Sequence, residues 1–121
     1  VALPLNLANY QAIIAPGASL SAPVSIGAQR LVGIVVPAGW VAGVLTFQTS
    51  IDGVNWNEVY DIAGDEIQVA ASATAAGAFV AIDPTIWQGV NMLTVRSGTL
   101  ASPVVQTGGA TVTLVTRAFE Y

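Results

Sequence analysis

The chain predicts an all-β domain: an antiparallel β-sandwich, jelly-roll-like or immunoglobulin-like, with about seven or eight strands and one short helical turn. Three observations carry that expectation. Apolar and polar residues alternate at period two in several short runs, turn chemistry recurs roughly every ten residues, and no segment holds a helical period beyond one turn.

The elements follow in order. The opening VALPLNLAN reads as an extended arm, because Pro4 disfavours a regular helix start and Leu3, Leu5 and Leu7 fall at period two. Residues 10–14 form a short strand ended by the Pro16-Gly17 turn. Residues 19–26 form a weak strand that Pro23 assigns to a sheet edge. Residues 1–28 thus separate as an arm with weak edge strands, and residues 29–121 form the sandwich. The arm is either a frayed terminus or a tether laid over a neighbouring subunit. Its leucines favour something to pack against, so Leu3, Leu5, Leu7 and Tyr10 are the candidate inter-subunit contacts.

Residues 29–36 are a strong strand closed by Pro37-Ala38-Gly39. Residues 43–50 make the next, with Leu45 and Phe47 opposed to Thr46 and Gln48, and Asp52-Gly53 turns the chain. Residues 55–60 follow, then a tight Ala63-Gly64-Asp65 turn, a strand at 66–71, a small-residue loop at 72–76 and a short strand at 77–82. The segment DPTIWQG supplies the helical turn, with Asp83 as N-cap, Pro84 at the first position and Gly89 as terminator. Trp87 on that turn is placed to plug a sheet edge. Residues 90–96 and 110–118 are the last strands, joined by a loop around Pro103 in which Val104 and Val105 pair briefly.

Composition limits what this domain does. Of 121 residues, 54% are hydrophobic and 8% charged, against about 25% charged in an ordinary soluble domain. The charges are three Arg and seven acids, with no Lys, for a net charge of −4. A free monomer keeps itself dispersed with a mixed charged surface. A surface built from Ala, Thr, Ser, Val and Gly instead fits a subunit packed against other protein, in a homo-oligomer or a larger assembly.

Nucleic acid is not expected as a partner, since phosphate binding needs clustered cations and Arg30, Arg96 and Arg117 lie far apart in sequence. An anionic membrane surface is disfavoured for the same reason. Residues 31–51 carry no charge over about the length of a spanning helix. Gly33, Pro37, Gly39 and Gly43 interrupt them, and the period at their end is two, so they read as strands. The uncharged start lacks the basic residues and compact apolar block of a signal peptide, so no secretion is expected.

The chain has no His and no Cys. Ser-His-Asp and Cys-His catalysis, His- or Cys-ligated zinc and disulfides are therefore impossible, and without Lys so is a Ser-Lys pair. No glycine-rich phosphate loop or other cofactor fingerprint opens a helix. Carboxylates remain: Asp52, Glu58, Asp61, Asp65 and Glu66 cluster around two turns. Turn Asp residues usually bond their own backbone, which explains them better than a glycosidase-type pair. A calcium site from Asp52, Asn55 and Asn57, or from Asp61 and Asp65, is the other reading, although the spacing fits no EF-hand. Trp40 and Trp56 are the candidates for stacking a ligand such as a sugar; the competing reading has the Trp residues capping the open ends of the sandwich. No enzymatic activity is expected.

The segments VPAGWVAGVLTFQTSIDGVNWNEVYD, FVAIDP, VRSGT and TVTLVTR, in that order, resemble small β-sandwich virion proteins of tailed bacteriophages. The likeness spans about residues 29–117, and the S-x-D-G-x-x-W hairpin within it also resembles carbohydrate-binding sandwiches. It implies a structural protein located in the virion, with a capsid decoration (cement) protein as first choice and the major capsid protein or other virion proteins as partners. A tail or fibre-base component is the alternative, and a carbohydrate-binding module another. The resemblance brings no catalytic residues with it.

Overall fold

The computed structural model describes residues 7–70, 77–87 and 89–118. These hold nine strands: β1 (Leu7–Ile14), β2 (Val24–Ser25), β3 (Arg30–Val35), β4 (Leu45–Thr49), β5 (Asn57–Glu58), β6 (Gln68–Val69), β7 (Phe79–Ala81), β8 (Met92–Ser97) and β9 (Ala110–Arg117). Among the described residues one 3-10 turn, Pro84–Trp87, lies between β7 and β8. The all-β, two-sheet antiparallel architecture is as the sequence predicts.

The first sheet has the order β1-β9-β3-β7 and the second β2-β8-β4-β5, with β6 also on β4. Every pairing is antiparallel. β1 pairs with β9 along its whole length, from Leu7 opposite Arg117 to Ile14 opposite Ala110. Residues 7–9, read from sequence as part of an arm, are thus the start of a full strand of the first sheet. Residues 1–6, with Leu3 and Leu5, lie outside the described residues.

β5 and β6 are two pieces of one edge strand. Glu58 pairs with Gln48 and Val69 with Leu45 on the same side of β4. Between them the chain leaves the sheet in a small hairpin closed by the Tyr60–Glu66 bridge. On the far side of β8, Leu20 bridges Arg96 and β2 completes the edge, where Pro23 is tolerated.

The core follows the period-two pattern. Ala12 and Ile14 from β1, Leu31 and Ile34 from β3, and Val112 and Leu114 from β9 face Leu45 and Phe47 from β4 and Leu93 and Val95 from β8. Asp83 holds the 3-10 turn, its Oδ1 accepting from the Thr85 amide at 3.0 Å and from the Thr85 hydroxyl at 2.8 Å. That turn drops Trp87 into the core, where its ring meets Phe47 edge-on, centroids 4.7 Å apart at 78°. The uncharged run at 31–51 is β3, a corner and β4. No helix among the described residues is long and apolar enough to cross a membrane.

Candidate functional site

The densest polar cluster lies on the outward face of the second sheet. Its members come from alternation: Leu45 and Phe47 on β4 and Leu93 and Val95 on β8 point inward, so Thr46, Gln48, Thr94 and Arg96 point outward. Outward does not mean exposed here, because Thr46, Thr94 and Arg96 are all buried. The Tyr60–Glu66 hairpin and the loop after β8 supply contacts to this cluster through Glu66 and Leu100.

Arg96 is the hub. Its Nη1 donates to Glu58 Oε1 at 2.6 Å and its Nη2 to Glu58 Oε2 at 2.9 Å, a two-point pair. Gln48 Nε2 donates to Glu58 Oε2 at 2.6 Å, and the Thr94 hydroxyl donates to Gln48 Oε1 at 3.2 Å. Arg96 also reaches Thr46 Oγ1 at 3.4 Å, while that hydroxyl donates to the Gly98 carbonyl at 2.7 Å. Glu66 lies 3.6 Å from Arg96 and accepts the Leu100 amide at 3.3 Å. The hydrogen bond from Arg96 holds the Glu58 carboxyl below the usual carboxylate range, desolvation opposing it. The same bond raises Arg96, which stays protonated.

This arrangement cross-links β5, β4 and β8 with the hairpin that carries Glu66. Its charges are spent on one another and on the Leu100 amide, and the exposed Tyr60 lies close enough to interact with Arg96. A groove of about 440 Å³ lies elsewhere: Ile13, Ile14, Pro16, Pro37 and Ala38 line it, and no ionisable side chain does.

The acids at the turns are bound to their own loops. Asp52 Oδ1 accepts the amides of Val54 and Asn55, both at 2.8 Å, and the Ser50 hydroxyl at 3.0 Å; Oδ2 accepts from Asn55 Nδ2 at 2.9 Å. Those bonds, the Asn55 amide first, hold its carboxyl well below the ordinary range. Asp61 Oδ1 accepts the amides of Ala63 and Asp65, each at 2.9 Å. Among the described residues no three acids gather as a cation site would require.

Of the sequence-derived candidates, Leu7 is exposed and Tyr10 half-buried against the core. Trp40 is buried, with 8% of its surface exposed, and so presents no face for stacking. Its Nε1 is the one buried side-chain polar atom without a partner among the described residues. Trp56 is half-exposed at the end of the β4–β5 hairpin.

Two features escaped the sequence reading. One is the Arg96 hub, whose signal is a lone cation in the middle of a strand of a nearly uncharged chain. The other is Gln106, fully buried: its Oε1 accepts the Val41 amide at 2.9 Å, and its Nε2 donates to the Val41 carbonyl at 3.0 Å and Ser97 Oγ at 2.8 Å. It ties the corner after Trp40 to the end of β8.

The surface is apolar where the loops turn. Ile51, Val54 and Ile62 are 90%, 78% and 108% exposed, at hairpin tips that Asp52 and Asp61 brace. Phe79 lies across the outer face of the first sheet, its ring over Gly33, where an added Cβ would sit 2.2 Å from the ring tip.

Comparison of the chain with protein-family models, curated proteins and solved structures returns no match. The functional reading therefore rests on the residues themselves.

Proposed function

We propose that this chain is a structural protein of a tailed-phage virion, a capsid decoration protein that binds the shell through protein–protein contacts and stabilises it. The observation that carries the reading is the combination of a braced β-sandwich with a surface short of charge and studded with exposed aliphatic tips. Ile51, Val54 and Ile62 stand on loops already fixed by Asp52 and Asp61, so docking them orders little chain. A contact there covers mostly apolar and small polar groups with few charges to desolvate, which suits a permanent contact better than a transient one. The ordered resemblance at residues 29–117 names the setting. The major capsid protein is the partner this reading implies.

Immunogold labelling of purified particles of the encoding phage with an antibody to this chain tests it. Label over the head is the expected result. Label confined to the tail makes the chain a tail or fibre-base component, and particles free of label and of the chain's peptides overturn the virion reading.

A further inference from the structure

We propose that the free edge of β1 is a self-association site: β1 of a second copy pairs antiparallel with it about a two-fold axis at Asn9, joining two first sheets into one. This stands independently of the virion reading, and the two fail separately.

The fold treats its sheet edges unequally. β7 ends the first sheet with three residues, and the second sheet ends in β2 on one side and β5 and β6 on the other, each of two residues. Short edge strands offer little backbone for another chain to pair with. β1 has eight residues and an unbroken register with β9, so no bulge turns its edge away. Nor does any charge or proline guard it from Leu7 to Ile14, and the first charge in the whole chain is Arg30. From Leu7 to Gln11 β1 is long, unbulged and without charge or proline, and only at Ile13 does a loop cover its edge.

The backbone shows which groups are on offer. The Ile13 carbonyl accepts the Ala22 amide at 3.1 Å, on the side away from β9. In an antiparallel ladder a residue's N–H and C=O point to the same side and alternate residues share it. Leu7, Asn9 and Gln11 therefore direct N–H and C=O away from β9, where no described residue bonds them, and Ala22 closes that edge at Ile13. A partner strand has three residues to bond.

A second β1 fits that window. With Asn9 opposite Asn9 of the second copy, Leu7 falls opposite Gln11 and Gln11 opposite Leu7, and each such pair exchanges both backbone bonds. The two Asn9 amides meet on the axis, where each both donates and accepts. With no ionised side chain in either strand, the pairing sets no like charges against each other. A two-fold contact is closed, so it ends at a dimer.

Single cysteines test the register, since the chain has none of its own. Asn9→Cys places two thiols on the axis, with Cα atoms about 5.5 Å apart, within disulfide range. Leu7→Cys places each thiol two residues from the axis on opposite strands, four residues apart along the ladder and out of disulfide range. Mild oxidation of the folded protein is expected to yield covalent dimer from Asn9→Cys and little from Leu7→Cys. Sedimentation equilibrium of the unmodified chain is expected to show a concentration-dependent dimer that Asn9→Lys abolishes while the circular dichroism spectrum is retained. An unmodified chain that stays monomeric, equal cross-linking of the two cysteine variants, or a dimer untouched by Asn9→Lys overturns the proposal.

Discussion

Arg96 and Glu58 form a two-point ion pair on the outward face of a sheet, yet only 7% and 15% of their side chains are exposed. Removing water from both charges is costly, and the two-point geometry with its added side-chain bonds offsets that cost. Gln48 and Thr46 take up the remaining valences. The pair spans β8 to β5 across β4, so it fastens the interrupted edge strand to the middle of its sheet.

Breaking one side of this pair should cost more than its surface position implies. Glu58→Gln leaves the Arg96 charge buried with only Glu66, 3.6 Å away, to offset it, and should destabilise the fold by about 3 kcal/mol. Replacing both partners, as Glu58→Leu with Arg96→Met, should be milder than the single change because the guanidinium leaves with its partner and Glu66 keeps the Leu100 amide. Urea unfolding of the three chains decides. A single-variant loss below about 0.5 kcal/mol would put the pair in the class of solvated surface bridges.

The same carboxylate sets the acid limit of stability. Glu58, Asp52 and Asp83 all have folded-state pKa values below their ordinary values of 4.5, 3.8 and 3.8. For depressed acids the contribution is present in full above the unfolded value and is lost as pH falls through the folded one. Stability should therefore fall as pH drops below about 4.5 and keep falling in stronger acid. With no His and no Cys, no side chain has an ordinary pKa between pH 6 and 8, where the unfolding midpoint should be flat. Urea midpoints across pH 2 to 8 test both limbs, and Glu58→Gln should make the acid limb shallower.

The extent to which this was legible in sequence follows from what is local. Strands such as β3, β4 and β9 declare themselves because alternation and turn residues sit within one short window. β1 was harder to read: its inward residues are Ala8, Tyr10, Ala12 and Ile14, a weak apolar signal, and its partner β9 lies at the other end of the chain. The split of one edge strand into β5 and β6 was equally hidden, since only their shared pairing with β4 reveals it. Trp40 follows a Pro-Ala-Gly corner that marks a surface turn, yet the chain folds back and buries the ring. The Arg96 hub joins residues 58, 66 and 96, and no local pattern announces a contact of that separation.

Gln106 is a second buried polar link, and Gln106→Leu should expose its worth. The change keeps much of the volume but strips the Val41 amide, the Val41 carbonyl and Ser97 Oγ of their partner. Ser97 is fully buried, so its Oγ is left without water at a cost of about 1–3 kcal/mol, while Val41 is 38% exposed and its backbone groups are reached by solvent. A loss of about 2 kcal/mol is expected by thermal or urea unfolding, with faster amide exchange at Val41. Unchanged exchange there would show that the corner holds without the glutamine.

Glycine at 98 is required twice over, and comparison with Gly17 separates the two reasons. Both have positive φ, +89° at Gly98 and +80° at Gly17, where a side chain strains the backbone. An added Cβ at Gly17 meets nothing within 4 Å, so Gly17→Ala should cost about 1 kcal/mol from strain alone. At Gly98 the same atom would lie 2.5 Å from the Ser102 carbonyl oxygen and 2.5 Å from the Val104 nitrogen. These are backbone atoms held by the Val104 amide bond to the Ser97 carbonyl at 2.8 Å, so they cannot swing aside as a side-chain tip would. Moving them also pulls on the Gly98 carbonyl that accepts from Thr46, beneath Arg96. Gly98→Ala should therefore cost about 3 kcal/mol or more and loosen the Arg96 cluster with it. Paired urea unfolding of the two variants measures the difference, and equal losses would mean that strain, not the close approach of the loop, fixes glycine at this position.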